Sequence, residues 1–184
     1  MAEQLAVSWN TYSFPKNCRV AAVRYGNVLG SRGSVVHLFR EAVAQHRPIP
    51  LTDPEMTRFW ITVGEAVAFV LRALFLMRGG EVFLPVLPAM RIADLAEALA
   101  PGYPVDVVGI RPGEKLHEVL IGEDEAERAV LGNQLVILEP THLAWPRLPW
   151  EGLRAAKRWR YTSDGEDTVR LTIPQMRALL QEVP

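Results

Sequence analysis

The chain has 184 residues, 49% of them hydrophobic and 22% charged, and its formal net charge at pH 7 is −1. This composition excludes a disordered chain and predicts a packed core, and the near-zero charge argues against nucleic acid or an anionic membrane as partners. The single cysteine, Cys18, excludes an intrachain disulfide and fits a reducing compartment, so we expect a cytoplasmic location.

Neither a membrane segment nor a metal site is expected. The first residues, Met1 to Leu5, include an acid and no long apolar run, unlike a signal peptide or a membrane anchor. The histidines lack cysteine or acidic partners at the spacing of metal ligands, so we predict no structural metal. They are His37, His46, His117 and His142.

The first elements predicted along the chain are a helix, a strand and a second helix. Residues 2–10 have helical spacing, and Cys18 to Tyr25 form a strand apolar enough to lie inside a parallel sheet. Ser34 is placed to cap a helix that ends near Pro48. The apolar face predicted for this helix consists of Val35, Leu38, Phe39, Ala42 and Val43.

A capping box from Thr62 to Glu65 predicts the start of the next helix, and Gly79 with Gly80 predicts its end. The residues predicted to face inward are Val67, Val70, Leu71 and Leu74. We expect nearby aromatic residues to belong to the core rather than to stack on a base. They are Phe59, Trp60, Phe69 and Phe75.

Strands and helices continue to alternate in the rest of the chain. A second capping box, Thr172 to Gln175, predicts a last helix through Leu180. The segment from Pro140 to Trp150 has no clear period, and we interpret it as a surface crossing. The other predicted elements are the strands Glu81–Leu84, Val105–Ile110 and Gln134–Leu138, the helices Ile92–Leu99 and about Leu116–Leu120, and a helical stretch Glu123–Arg128.

Two turns carry groups suited to a nucleotide. The segment Arg24 to Ser34 joins a strand to a helix through glycine, hydroxyl and arginine residues, which suits a phosphate. Arg111 to Lys115 places a guanidinium and a carboxylate in a second turn, suited to a phosphate and a ribose diol. Together the turns predict a nucleotide-sugar pocket. The alternative for the first turn is that its glycines only permit tight backbone geometry.

Five segments of the chain follow one another in the order and spacing of a single enzyme subfamily. They are Val23–Val36, Asp53–Trp60, Gly79–Phe83, Met90–Ala96 and Gly109–Glu118. On these segments the chain resembles the C-terminal half of the inverting UDP-N-acetylglucosamine 4,6-dehydratases, which are extended short-chain dehydrogenase/reductases. The resemblance covers nearly the whole chain and weakens between residues 140 and 160.

The resemblance implies an α/β fold, namely the C-terminal part of a Rossmann-like extended short-chain dehydrogenase/reductase with its smaller substrate-binding subdomain. We expect one truncated unit. Residues 1–47 would form the end of the Rossmann-like part and the substrate loop. Residues 48–184 would form mainly the substrate-binding subdomain and the C-terminal elements.

The resemblance also implies roles for individual residues. Asn27 would contact the substrate diphosphate, and Arg32 and Val35 would line the same substrate. Val28 would lie against the nicotinamide side of NADP. In the second turn, Arg111 would hold a phosphate and Glu114 would accept hydrogen bonds from the ribose hydroxyls.

Three further charged residues have alternative interpretations. Arg58 either belongs to the substrate site or pairs with Asp53 or Glu55 as a structural strut. His117 is predicted to be solvated or packed rather than catalytic. Lys115 is predicted to be a surface charge near the anionic site.

The catalytic apparatus of the family is expected to lie outside this chain, because Met1 falls just after the position of the family's catalytic lysine. No G-x-G-x-x-G follows a predicted strand, and we expect no Tyr-x-x-x-Lys, because we interpret Tyr12, Tyr25, Tyr103 and Tyr161 as lacking a lysine at the required spacing. The family reaction oxidises C4 of the sugar with NADP+, eliminates water across C5 and C6, and returns the hydride at C6 with inversion at C5. We therefore predict no catalytic residue, and neither NADP binding nor catalysis by this chain alone.

Three hypotheses for function remain open. The first is a C-terminal fragment of such a dehydratase, which supplies the UDP-sugar side of the site. The second is a non-catalytic UDP-sugar-binding or interaction module that pairs with a separate Rossmann half. The third is a gene remnant without function. The resemblance also implies a homo-oligomer for the intact family.

Overall fold

A computed structural model of the chain describes residues 2–13, 18–141, 150–155 and 157–183. Its helices are α1 Ala2–Ser13, α2 Val35–Ala44, α3 Val63–Leu76, α4 Ile92–Leu99 and α5 Ile173–Gln181, with one 3-10 turn at Ala126–Arg128. Its strands are β1 Ala22–Val23, β2 Asn27–Val28, β3 Ile49–Leu51, β4 Thr57–Ile61, β5 Val82–Pro85, β6 Ala89–Arg91, β7 Val105–Val107, β8 Val119–Ile121, β9 Ala129–Gly132, β10 Leu135–Leu138, β11 Leu153–Arg154 and β12 Tyr161–Thr162. Within the described ranges, no helix is long and apolar enough to span a bilayer.

The chain forms two compact units, and neither is continuous in sequence. Unit 1 consists of Met1–Tyr25, Val67–Val86 and Leu120–Tyr161. Unit 2 consists of Gly26–Ala66, Leu87–Val119 and Thr162–Pro184.

Unit 1 is built on a mixed five-stranded sheet in the order β1-β5-β10-β9-β11. β1 runs parallel to β5, with Ala22 opposite Val82, and β10 runs antiparallel to both β5 and β9. Phe83 of β5 packs against Phe69 and Ala73 of α3. Its neighbour Val82 lines a cavity of about 700 Å³ together with residues of α1. Adjacent strand residues point to opposite faces, so α1 and α3 cover opposite faces of this sheet.

In unit 2 the strand β4 lies at the centre of a three-stranded sheet, parallel to β2 on one side and antiparallel to β6 on the other. A separate parallel pair joins β3 to β7. The helices α2, α4 and α5 contribute to one apolar core. Its largest fully buried members are Trp60, Phe39, Ile49, Leu95, Leu29 and Met176.

Both predicted capping boxes are confirmed. The Thr62 amide donates to the Glu65 carboxylate at 2.8 Å, and the Glu65 amide donates back to the Thr62 hydroxyl at 3.2 Å. Thr172 and Gln175 make the same reciprocal pair at the start of α5. Each pair satisfies amides that a helix N-terminus otherwise leaves without an acceptor.

The inward face predicted for α3 is wrong. Phe69 and Ala73 are buried, whereas the four residues predicted to face inward are exposed, and so is Phe75 at 86%. The residues predicted to be buried but found exposed are Val67, Val70, Leu71 and Leu74. The reason is that the segment is apolar on nearly every side, so its periodicity does not select a face. Phe59, Trp60 and Phe69 are buried as predicted.

Other predicted elements are shorter than expected or different. The strand expected at residues 18–25 is confined to Ala22–Val23, and the one at 105–110 to Val105–Val107. Leu38 of α2 is 47% exposed rather than buried. The acidic stretch 123–128 contains only the 3-10 turn, and residues 142–149 of the predicted surface crossing lie outside the described residues.

The short helix expected near Leu116 does not form. The Leu116 carbonyl instead accepts from the Thr57 amide, and the Glu118 carbonyl accepts from the Ser163 amide. These main-chain groups are therefore committed to distant segments rather than to a helical turn.

Candidate functional site

Both predicted turns of the nucleotide-sugar pocket attach to β4. Asn27 of the first turn lies opposite Trp60 in the parallel pair of β2 and β4. Arg58 donates to the carbonyls of Lys115 and Leu116, which directly follow the second turn, at 2.8 and 3.1 Å. Arg58 and Trp60 are two residues apart, about 7 Å along a strand. The fold thus attaches the two turns to neighbouring positions of one strand.

The glycines of the first turn have structural reasons of their own. A Cβ on Gly26 would lie 2.4 Å from the Cβ of Phe59, so only glycine permits this approach. Gly30 and Gly33 both have a φ of +72°, which favours glycine. The alternative that these glycines serve backbone geometry is therefore supported, and the case for a ligand rests on the other residues of the turn.

A histidine and an arginine of α2, which sequence reasoning did not assign, hold the first turn in place. Nε2 of His37 lies 2.9 Å from the carbonyl oxygen of Gly30. Arg40 donates to the carbonyls of Leu180 and Val183, both at 3.1 Å, and so caps the C-terminal end of α5. Both side chains bond main-chain carbonyls of other segments, so the sequence carries no signal that identifies these contacts.

The residues assigned to the first turn present polar groups at the N-terminus of α2. Asn27 and Val28 are half-buried in β2, Arg32 is exposed, and Val35 opens the helix with its side chain half-buried. Ser34 occupies the N-cap position as predicted, but its hydroxyl makes no cap hydrogen bond. This hydroxyl is buried and has no partner among the described residues. A helix N-terminus with free amides, a free hydroxyl and a nearby arginine suits an anion.

The second turn is closed by its own end residues. The Arg111 amide donates to the Glu114 carboxylate at 3.0 Å, and the Glu114 amide donates to the Arg111 carbonyl at the same distance. Gly113 between them has a φ of +89°. Within the described ranges, no hydrogen bond or ion pair involves the Arg111 guanidinium, so it can meet a ligand. The Glu114 carboxylate has one oxygen engaged by the turn itself.

Arg58 has a structural role, but it does not pair with the residues predicted. It donates to three main-chain carbonyls, those of Thr57, Lys115 and Leu116, instead of pairing with Asp53 or Glu55. Glu55 lies 3.7 Å from Arg91. Burial lowers the pKa of Arg58, opposed by the negative charges of Glu118 and Glu114. Burial raises the pKa of Glu118, against the Phe59 amide and the charge of Arg58.

His117 packs in a hydroxyl cluster beside the strut. Its Nδ1 lies 2.9 Å from Oγ1 of Thr57, and its Nε2 lies 3.8 Å from a carboxylate oxygen of Asp164. Oγ1 of Thr57 lies 2.6 Å from Oγ of Ser163. Thr57 and Ser163 are both buried, and their hydroxyls are hydrogen-bonded to each other. This packing is what the sequence predicted for His117, and the cluster fixes the start of β4 against the segment that follows the second turn.

The comparisons with known proteins agree with this architecture. Residues 1–140 match the family described as polysaccharide biosynthesis protein. The chain belongs to this family. Two members from Campylobacter jejuni subsp. jejuni, both UDP-N-acetylglucosamine 4,6-dehydratases (inverting), are 47% and 46% identical to the chain over 126 residues. The match covers 68% of this chain and 38% of each relative, so the matched stretch spans well under half of their length.

Other relatives of this polysaccharide biosynthesis chain match over almost its full length or over part of it. A UDP-glucose 4-epimerase of Rickettsia typhi is 33% identical over 98% of this chain and 54% of its own. The solved structure of Pen from Bacillus thuringiensis superimposes with a TM-score of 0.83 and 28% identity, over 98% of this chain and 55% of that one. The dTDP-glucose 4,6-dehydratase DesIV of Streptomyces venezuelae, solved with NAD and TYD bound, has a TM-score of 0.51 at 20% identity, over 58% of this chain and 36% of its own. The predicted fold of a Rossmann-like extended short-chain dehydrogenase/reductase is confirmed.

One sequence prediction about catalytic groups needs correction. Tyr12 and Lys16 do have the Tyr-x-x-x-Lys spacing. However, Pro15 stands between the two residues, and Lys16 lies outside the described residues. Because proline is incompatible with the interior of a helix, the spacing alone does not indicate a catalytic pair on one helical face.

Proposed function

We propose that this chain forms the nucleotide-sugar side of a UDP-N-acetylglucosamine 4,6-dehydratase site in polysaccharide biosynthesis. The observation that carries the proposal is the attachment of both turns to β4, with the buried Ser34 hydroxyl and the Arg32 and Arg111 guanidinium groups free of partners in the described part of unit 2. These donors suit a diphosphate. The names of the relatives that match at 46 to 47% identity supply the sugar.

Each residue would act by binding and orienting. Asn27 and Arg32 would contact the diphosphate, with Val35 alongside them, and Arg111 would hold a phosphate by charge-assisted hydrogen bonds. Glu114 would use its remaining oxygen for the ribose hydroxyls. Arg58 would act indirectly, because its bonds to the carbonyls of Lys115 and Leu116 fix the second turn relative to β4.

The chain's own residues fit the cofactor only in part. Val28 offers an apolar side chain to a nicotinamide ring, as the family resemblance implies. The sequence contains no G-x-G-x-x-G turn for the pyrophosphate of a dinucleotide. NADP and the acid–base groups would therefore come from a dinucleotide-binding half, either of the same polypeptide or of another, within a cytoplasmic homo-oligomeric enzyme.

An epimerase is the second candidate, and the full-length match to a UDP-glucose 4-epimerase favours it. The two functions share the UDP-sugar grip and differ in the chemistry at the sugar. The chemistry at the sugar depends on groups outside the two turns. The residues of the two turns therefore support UDP binding and do not distinguish a dehydratase from an epimerase.

The proposal is tested by titration calorimetry of UDP, first with the chain alone and then with the dinucleotide-binding half of a Campylobacter jejuni relative added. Arg111→Ala should weaken binding by about 2 to 5 kcal/mol, because it removes a charged donor from a desolvated phosphate. The matched control is Lys115→Ala, an exposed cation of the same loop, which should change binding by less than about 1 kcal/mol. If Arg111→Ala binds UDP as tightly as the parent, the site assignment is wrong.

A further inference from the structure

Ser163, Thr57 and His117 of unit 2 form a continuous hydrogen-bond chain, the relay. Oγ of Ser163 lies 2.6 Å from Oγ1 of Thr57, which in turn lies 2.9 Å from Nδ1 of His117. Ser163 and Thr57 are buried, whereas the His117 side chain is 31% exposed and can exchange a proton with water. The relay therefore has one end in contact with solvent and the other inside unit 2.

The proton positions in the relay follow from its donors and acceptors. Each hydroxyl has one proton to donate, and a neutral imidazole has one N–H and one acceptor nitrogen. Nε2 of His117 faces a carboxylate oxygen of Asp164 at 3.8 Å, so we assign the N–H to Nε2 and the acceptor role to Nδ1. The Thr57 hydroxyl then donates to Nδ1, and the Ser163 hydroxyl donates to Thr57. Ser163 also accepts from the Glu118 amide at 2.8 Å, so every proton of the relay has an acceptor.

Protonation of His117 reverses the direction of the relay. Both ring nitrogens of an imidazolium are donors, so the Thr57 hydroxyl has to accept from Nδ1 and donate to Ser163 instead. The Ser163 proton then turns to the main-chain carbonyl of Thr57, which lies 3.1 Å away. That carbonyl already accepts from Arg58 at 2.7 Å. The charge state of His117 thus decides whether Arg58 shares this acceptor with Ser163.

Arg58 connects the relay to the second turn. Its other two bonds go to the carbonyls of Lys115 and Leu116, at 2.8 and 3.1 Å, and so hold the second turn relative to β4. An imidazolium at His117 also places a positive charge near the Arg58 guanidinium, since both side chains bond to Thr57. Competition for the Thr57 carbonyl and repulsion between two cations both weaken the hold of Arg58 on the turn.

Charged groups of both signs surround His117. A cavity of about 360 Å³ beside the ring is lined by three carboxylates and two guanidinium groups. These groups are Glu55, Asp94 and Asp164, with Arg91 and Arg170. The segment of His117 itself adds one charge of each sign, from Lys115 and Glu118. Histidine is the side chain whose charge changes most readily between about pH 5 and 8, so these surroundings meet both charge states in that range.

We propose that His117 is a positioning residue for the second turn, and that its charge, transmitted by the relay, sets how firmly Arg58 holds that turn. The effect on a ligand rests on the proposed function: loss of the proton from His117 would tighten the binding of a UDP-sugar. The relay itself depends only on contacts within unit 2, so it can be measured without a ligand.

The test is a pH titration of the chain by NMR, followed at the His117 ring and at the carbonyl carbon of residue 57. The two signals should change with the same midpoint pH, because the Ser163 hydroxyl turns to this carbonyl when His117 is protonated. In Thr57→Val the Ser163 hydroxyl can donate only to the carbonyl in either state, so the ring should still titrate while the carbonyl signal loses most of its pH dependence. His46→Asn, at an exposed histidine of the same unit, is the matched control and should leave both signals unchanged. A carbonyl signal that follows the ring equally well in Thr57→Val, or that does not follow it in the parent, overturns the relay.

A second measurement tests the positioning role through ligand affinity. UDP-N-acetylglucosamine is titrated at about pH 8 and about pH 5.5 into the chain with the added dinucleotide-binding half, because this ligand lacks the terminal phosphate of UDP, which would itself take up a proton in that range. The parent should lose about fivefold in affinity at the lower pH. His117→Asn keeps an acceptor near the position of Nδ1 without gaining a charge, and it should lose less than about twofold. Equal losses in the two proteins would overturn the positioning role. Absence of UDP-sugar binding at both pH values, with the carbonyl signal still following the ring, would contradict the proposed function and leave the relay intact.

Discussion

The guanidinium of Arg58 lies 2.8 Å from the carbonyl oxygen of Lys115, although the two residues are 57 positions apart in the chain. Through this contact a side chain on β4 holds the segment that carries Arg111 and Glu114. The proposed grip on the nucleotide therefore depends on a residue whose donors are already directed at main-chain carbonyls.

Arg58→Lys should destabilise unit 2 and loosen the second turn, although the positive charge is kept. A lysine ammonium cannot reproduce the planar fork that reaches the Thr57, Lys115 and Leu116 carbonyls together. We expect a loss of about 1 to 3 kcal/mol in the free energy of unfolding, the usual cost of unsatisfied buried polar groups. Denaturant unfolding measures it, and faster amide exchange near Lys115 should accompany it. An unchanged exchange rate there would show that the turn is held by other contacts.

Glu114 has two roles, closing the second turn and, as proposed, binding the ribose. Two substitutions distinguish these roles. Glu114→Gln keeps an oxygen that can accept from the Arg111 amide, whereas Glu114→Ala removes it. In UDP titrations we expect Glu114→Ala to cost about 1.5 to 3 kcal/mol and Glu114→Gln less, because only the former opens the turn. Equal losses for the two variants would indicate that the charge itself meets the ligand.

Gly26→Ala should destabilise unit 2. The added methyl would lie 2.4 Å from the Cβ of Phe59 and 2.7 Å from its carbonyl oxygen, and both atoms belong to a buried strand residue. Overpacking of this kind costs about 1 to 3 kcal/mol in the free energy of unfolding. Gly64→Ala is the control, because no atom lies within 4 Å of its Cβ position in the first turn of α3. Chemical denaturation should show Gly64→Ala at or above the parent stability.

Acid should lower the free energy of unfolding of unit 1, because it protonates the carboxylate of Glu125. Burial alone would raise its pKa, but the hydrogen bond and charge of Arg24, 2.8 Å away, outweigh burial and lower the pKa below 4.5. A carboxylate with a lowered folded-state pKa contributes stability that is present above its unfolded pKa and lost as the pH falls through its folded pKa. The parent should therefore have a higher free energy of unfolding than Glu125→Gln at pH 7, and this difference, measured by urea unfolding, should shrink as the pH falls below about 4.

The purified chain alone should not turn over UDP-N-acetylglucosamine with NADP+. It has no dinucleotide fingerprint, and its one Tyr-x-x-x-Lys spacing, from Tyr12 to Lys16, is interrupted by Pro15. The measurement is product formation by mass spectrometry, with Tyr12→Phe as the comparison. Turnover that Tyr12→Phe abolishes would show that this pair is catalytic after all.

Local signals predicted the helices better than the strands. α4 has the bounds expected from its amphipathic pattern, and the capping boxes at Thr62 and Thr172 are local by nature. β4 was not predicted as a strand, because its structure depends on pairing with β2 and β6, which lie far away in sequence. The assignments to Asn27, Val28, Arg32, Val35, Arg111 and Glu114 came from family resemblance and remain predictions. The contacts of Arg58 and His37 could not be derived, because they end on main-chain carbonyls that only the fold brings near.

The segment that follows α5 lies against the first turn in this family member. Gly30 leaves room for Val183, since a Cβ there would lie 2.3 Å from the Cγ1 atom of the valine, and Arg40 binds the carbonyl of the same residue. A side chain at position 30 would therefore collide with Val183 as well as strain the first turn. If the first turn binds the nucleotide as proposed, a fluorophore attached at position 183 should change its emission when UDP is added.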